Sequence, residues 1–180
     1  METSRGRPWF RMVVFLIFAI VAIYTPMIPV APGGTQITPD AFYCLAMAWI
    51  IRDPDAAPFW VIVALALVAD VLMFRPPGLM ALGMLIVTDM VRHRRAAVRG
   101  LGFFSEWLVV SVLYCVMLAG TQAVLKMVFV DVPEIGLSME LAFRTVLLYP
   151  VIAAAVALGL RMSKSEKGER SLSGVSGRAW

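Results

Sequence analysis

Apolar and polar positions fall along this chain in long blocks. Met12–Tyr24 is apolar and continues less purely to Val30, through Pro26 and Pro29. Ala31–Asp40 is a Pro/Gly/Thr segment without lysine or arginine. Further apolar blocks follow at Phe42–Ile51, Pro58–Phe74, Leu79–Val91, Leu101–Val130 and Leu141–Met162. Blocks of this length without sustained alternation predict helices that are apolar on every side, and such helices lie in a large core or in a membrane. A membrane barrel would instead show alternating segments of about ten residues. The expected fold class is therefore an all-α integral membrane protein with six transmembrane helices. Their approximate spans are 12–30, 38–51, 57–74, 77–91, 101–130 and 141–162. A basic N-terminus (1–11) and a basic tail (163–180) flank the six-helix domain (12–162).

Two of these segments have awkward lengths. From Thr38 to Ile51 there are only 14 residues, against about 20 for a straight crossing. Leu101–Val130 is about 30 residues long, enough for a tilted or protruding helix. Charge decides the first case. With six crossings and the N-terminus inside, 13 of the 16 lysines and arginines fall on the cytoplasmic side. Only Arg75, Lys126 and Arg144 lie at the outer side. Without the short second crossing, both the Arg92–Arg99 stretch and the tail move outside, against the positive-inside bias. The basic start and first apolar block also have the outline of a signal peptide. Their length and the proline-rich APGG that follows fit a retained span better.

Composition agrees with the pattern. Of the 180 residues, 61% are hydrophobic and the mean hydropathy is +0.84, whereas soluble domains run about 45–50% apolar. Cys44 and Cys115 sit inside apolar blocks and read as small buried residues. His93 is the single histidine, which leaves no material for a His-based catalytic or metal cluster. GVSG at 174–177 has no strand before it and is no nucleophile turn. No enzymatic motif is present, so neither catalysis nor a cofactor is expected.

Ionisable groups inside spans are functional candidates by default. Here they gather at two rims. Asp70 is four residues from Phe74, about 6 Å from the outer end, level with Arg75, Lys126 and Arg144. A carboxylate there is placed to pair with cations at the headgroup boundary. Asp89 and Glu106 lie near the inner end. No carboxylate is at the midplane, so Asp70, Asp89 and Glu106 read as structural or interfacial groups rather than a relay. Lys126 and Arg144 read as snorkelling cations.

Arg75-Pro76-Pro77-Gly78 reads as a tight helix–helix turn, or as a rigid element shown to a partner at the outer surface. Ala153 and Ala157, and Ala155 and Gly159, lie four apart and mark helix-packing faces, as do Gly78 and Gly83 beside Ala81. Arg92, Arg94, Arg95 and Arg99 form a basic cytoplasmic loop. Its expected roles are topology and contact with anionic lipid, not nucleic acid.

Four pieces in order carry a family resemblance. They are Pro39-Asp40; Leu45-Ala46-Met47-Ala48-Trp49 followed by Arg52 and Pro54-Asp55; Ala69-Asp70-Val71-Leu72; and Arg75-Pro76-Pro77-Gly78-Leu79-x-Ala81-Leu82. Together they resemble the MreD family of bacterial rod-shape-determining membrane proteins, in its alphaproteobacterial form, over about Pro39–Arg95. Elsewhere the likeness lies in length, span count and charge layout. The resemblance implies a non-enzymatic scaffold of the cell-elongation machinery that makes peptidoglycan, in the inner membrane with both termini cytoplasmic. It implies as partners the periplasmic scaffold MreC, the cytoskeletal filament MreB, and the RodA glycosyltransferase with its transpeptidase. It also implies a fold like the substrate-binding subunits of energy-coupling-factor transporters. That supplies an alternative reading as a vitamin-type capture subunit. Those subunits carry alanines every fourth residue on the first helix, where this chain has only Ala19 and Ala22. Asp40, Asp70, Arg75, Pro76, Pro77, Gly78 and Asp89 are the resulting candidates for partner contact or structure.

Overall fold

The computed structural model describes residues 8–27, 38–73, 76–100, 102–128 and 134–176. Arg75 lies outside them. Among the described residues the chain is helical, with no strand. The elements are α1 (Pro8–Tyr24, continued by a short 3-10 turn Thr25–Met27), α2 (Ala41–Arg52), α3 (Phe59–Leu72), α4 (Leu79–Gly100), α5 (Phe103–Met127) and α6 (Ile135–Ser176). Six helical segments were expected from the pattern, and six helices form. Two, α5 and the Ile135–Leu160 part of α6, are long and apolar enough to cross a membrane, at 25 and 26 residues.

The helix ends follow local chemistry. Pro8 opens α1, where its missing N–H costs nothing. The Asp40 carboxylate accepts from the Tyr43 amide at 3.0 Å and caps α2. Pro54 stops α2 one residue after its C-cap, Asp53. Gly78, at φ +93°, turns the chain into α4, and Gly102, at φ +91°, separates α4 from α5.

Several boundaries differ from expectation, among them the start of α1 at Pro8, four residues before the expected span. The Arg92–Arg99 stretch is not a loop. It is the continuation of α4 to Gly100, because Arg, Ala and Val offer no break before the glycine. The last helix begins at Ile135, six residues before the expected start, and runs on into the tail to Ser176. Lysine, glutamate and arginine are good helix formers, so an end to apolarity is not an end to the helix.

The core is organised around α2. Ten of its twelve residues are buried, from Phe42 to Ile51. α6, α4 and α1 pack around it, and Tyr43 and Tyr114 bring α5 against it with ring centroids 4.7 Å apart. α3 packs on α4, and α4 on α5. At that last contact Gly83 is tight. A Cβ there would lie 2.7 Å from Met117 Cγ, so the helices approach as closely as only glycine permits. The outer faces remain apolar: Val68, Val71, Val112, Val116, Phe143 and Val151 are all exposed.

Pro150 sits inside α6. It has no N–H to give the carbonyl of Val146, four residues earlier. The Trp107 indole of α5 donates to that carbonyl instead, at 2.9 Å. The proline thus creates a free acceptor, and the tryptophan occupies it.

Candidate functional site

Several polar groups of the interior gather at the two ends of α2. At the Asp40 end, the Asp40 amide donates to Thr145 Oγ1 at 3.0 Å, and that hydroxyl donates to the Leu141 carbonyl at 2.8 Å. Cys44 Sγ reaches the Thr145 carbonyl at 3.4 Å. The start of α2 is therefore tied to α6 by backbone and side chain together.

Nearby, Asp70 is 1% exposed. Its Oδ2 accepts from the amides of Gly78 at 2.9 Å and Ala81 at 3.2 Å. Gly78 immediately precedes α4 and Ala81 lies in its first turn, where amides have no helical partner of their own. The carboxylate suits the positive end of the helix. The expectation placed Asp70 among headgroup-level cations. Its partners among the described residues are backbone amides instead, so it closes the Pro76-Pro77-Gly78 turn from within. A void of about 30 Å³ lies between Asp40 and Asp70, walled by Met73, Met80, Met84 and Met117.

At the Arg52 end the charges are paired. Arg52 Nη1 lies 2.8 Å from Glu106 Oε1 and also donates to the Ala48 carbonyl at 3.1 Å. The Tyr149 hydroxyl donates to the same Glu106 oxygen at 2.6 Å. Glu106 is 6% exposed, and its carboxylate joins α2, α5 and α6 at one point. Arg11 Nη1 reaches Asp53 Oδ2 at 2.7 Å and fixes the start of α1 beside the end of α2.

Arg92 holds the turn that follows α2. It donates to the Pro54 carbonyl at 3.1 Å and the Ala57 carbonyl at 2.6 Å. Ala56 and Ala57 are buried beneath it. Burial, then the neighbouring Arg95, lowers the Arg92 pKa from its ordinary value. Each turn is thus fixed by a charged side chain from a neighbouring helix: Asp70 for the turn into α4, Arg92 for the turn out of α2.

The remaining candidates stand apart from these clusters. Asp89 is exposed, with His93 Nδ1 at 3.4 Å. Arg94 and Arg95 are exposed on α4 beyond Val91, and Arg99 lies farther along the same helix. Arg144 pairs with Glu140 one turn away. Cys115 is exposed, unlike Cys44, because it faces outward from α5. Ala153 is buried in the core and Ala157 half-buried, while Ala155 and Gly159 are exposed.

Those two small residues line an open groove of about 490 Å³. α1 and α6 form its sides, and Ala41, Leu45 and Trp49 of α2 its floor. Arg11 stands at one end and Thr25 at the other.

The Arg52–Glu106–Tyr149 cluster and the Arg11–Asp53 pair were not expected. Opposite charges at one rim, Arg52 and Glu106, were the available signal. Nothing in the sequence marked Tyr149. Compared with known proteins, the chain matches no family model, no curated protein and no solved structure.

Proposed function

We propose that this chain is a non-enzymatic membrane scaffold of bacterial cell elongation, set in the inner membrane with both termini in the cytoplasm. In this reading all six helices cross, and the charge bias puts the Arg52 end of α2 inside. The Pro76–Gly78 turn then faces the periplasm, where an MreC-type scaffold would meet it. The Arg92 turn and the basic continuation of α4 face the MreB-type filament. RodA and its transpeptidase complete the assembly.

One observation carries the reading. The residues that resemble the MreD family are the ones that fix the turns and helix ends. Asp40 caps α2, Asp70 holds Gly78 at the start of α4, Arg52 anchors α2 to α5, and Pro54 sits in the turn that Arg92 grips. A scaffold needs surfaces of fixed shape on both sides of the membrane, and these contacts supply them.

The groove of about 490 Å³ is the one feature that favours the alternative, a vitamin-type capture subunit, since small-molecule clefts span about 300–1,000 Å³. Depletion separates the two. Rods that round up and recover with the wild-type chain support the scaffold. Rods that keep their shape but acquire a vitamin requirement overturn it.

A further inference from the structure

We propose that the groove between α1 and α6 binds one acyl chain of an anionic phospholipid, with the headgroup held at the Arg11 end. The shape of the groove sets the class of ligand. From Arg11 to Thr25 is 14 residue steps along α1 and into the turn that follows it, about 21 Å at the helical rise. That exceeds one leaflet's share, roughly 15 Å, of a hydrocarbon core about 30 Å thick, so a whole chain can lie along it. The lining between the two ends is aliphatic and aromatic, with Phe18, Leu45, Ile152 and Val156 among its walls.

The polarity of the ends sets the orientation. Arg11 commits Nη1 to Asp53, yet its side chain is one-third exposed, and a guanidinium carries five N–H donors. Trp49 lines the floor on the last turn of α2, near that end. It is 5% exposed, and its indole N–H has no acceptor among the described residues. A phosphodiester at this level offers a charge partner to Arg11, and the Trp49 ring lines the groove where a chain beside that headgroup would lie. The Thr25 end holds no cation among its lining residues.

The test uses full-length protein in phosphatidylcholine vesicles doped with phosphatidylglycerol carrying brominated chains, which quench nearby tryptophan fluorescence. The expected result is a saturable loss of emission at one phosphatidylglycerol per chain, several-fold larger than with brominated phosphatidylcholine at the same mole fraction. That saturable part should vanish in Trp49→Phe. It should also vanish in Gly159→Leu, which fills the groove. A Cβ at Gly159 meets nothing within 4 Å, so this variant keeps the fold, checked by an unchanged unfolding midpoint. Equal quenching by the two lipids, or a saturable part that survives Gly159→Leu, overturns the proposal. So does a photo-crosslinker at position 159 that captures a protein helix in place of lipid.

Discussion

The Arg52–Glu106 pair gives the sharpest test of the interior. Its side chains are 13% and 8% exposed, so solvent screens them little. Removing one partner of a buried pair costs about 3–5 kcal/mol, because the other charge stays buried without compensation. The two single variants should differ. In Arg52→Met, made in a Tyr149→Phe background, Glu106 loses both its side-chain partners among the described residues, so the full cost applies. In Glu106→Leu, Arg52 retains the Ala48 carbonyl and has a long stem to extend toward water, so the loss falls nearer the lower bound. The double variant replaces a charge pair with apolar side chains, which is often close to neutral.

The cycle is run in a Tyr149→Phe background, since that hydroxyl would otherwise lose its acceptor. Tyr149→Phe alone should cost about 1.5–3 kcal/mol, as for other bonds to charged groups. For a chain of this length each kcal/mol moves the unfolding midpoint by about 2–4 °C. Arg52→Met should therefore lower it by about 6–20 °C, and the double variant should regain most of that. Thermal unfolding in one detergent at one pH reads all four corners. Single losses that simply add, within about 0.5 kcal/mol, refute the idea that the two charges depend on each other.

Three further outcomes follow from the contacts described. Asp70→Ala removes the acceptor for two amides at the start of α4 and should cost about 2 kcal/mol. Asp70→Asn keeps a carbonyl there and should cost less, and Asp89→Ala, at an exposed site, should stay within about 0.5 kcal/mol of wild type; unfolding midpoints rank the three. Trp107→Phe strands the Val146 carbonyl at about 1–3 kcal/mol. Adding Pro150→Ala restores a helical donor to that carbonyl, so the double variant should unfold at a higher temperature than Trp107→Phe alone. Arg92→Met frees the Pro54 and Ala57 carbonyls, and hydrogen exchange should rise across residues 53–57 while α5 and α6 keep their protection.

Much of the helix layout is legible in the apolar blocks because burial and period are written residue by residue. Proline and glycine mark most ends, as at Pro54, Gly78 and Gly102. The polar continuations are not legible, because helix-forming residues such as Arg94 and Lys164 give no sign of stopping when apolarity stops. Depth along a helix could be counted, which puts Asp70 in the last turn of α3 and Glu106 in the first turn of α5. Direction around the helix could not. Asp70 and Asp89 look alike in sequence, yet one turns inward to two amides and the other turns outward to His93. The groove was hidden for a different reason. It arises from the space α1 and α6 leave over α2, and no stretch of the chain records the distance between its neighbours.

The burial of α2 has a consequence for how the protein is made. A helix of twelve residues is about 18 Å long, well short of a bilayer's apolar thickness of about 30 Å. Its charge partner, Glu106, and the Thr145 acceptor of the Asp40 amide are supplied by α5 and α6, which lie far downstream. While synthesis is under way, the second helix emerges long before the residues that stabilise it: Glu106, Thr145, Tyr149 and Val110, whose carbonyl accepts from the Tyr43 hydroxyl at 2.8 Å. It must wait for them in an incomplete setting. A nascent chain truncated before α5 should therefore be cleared by membrane proteases, and α6, whose Thr145 lies 105 positions beyond Asp40, completes the seating of the second helix.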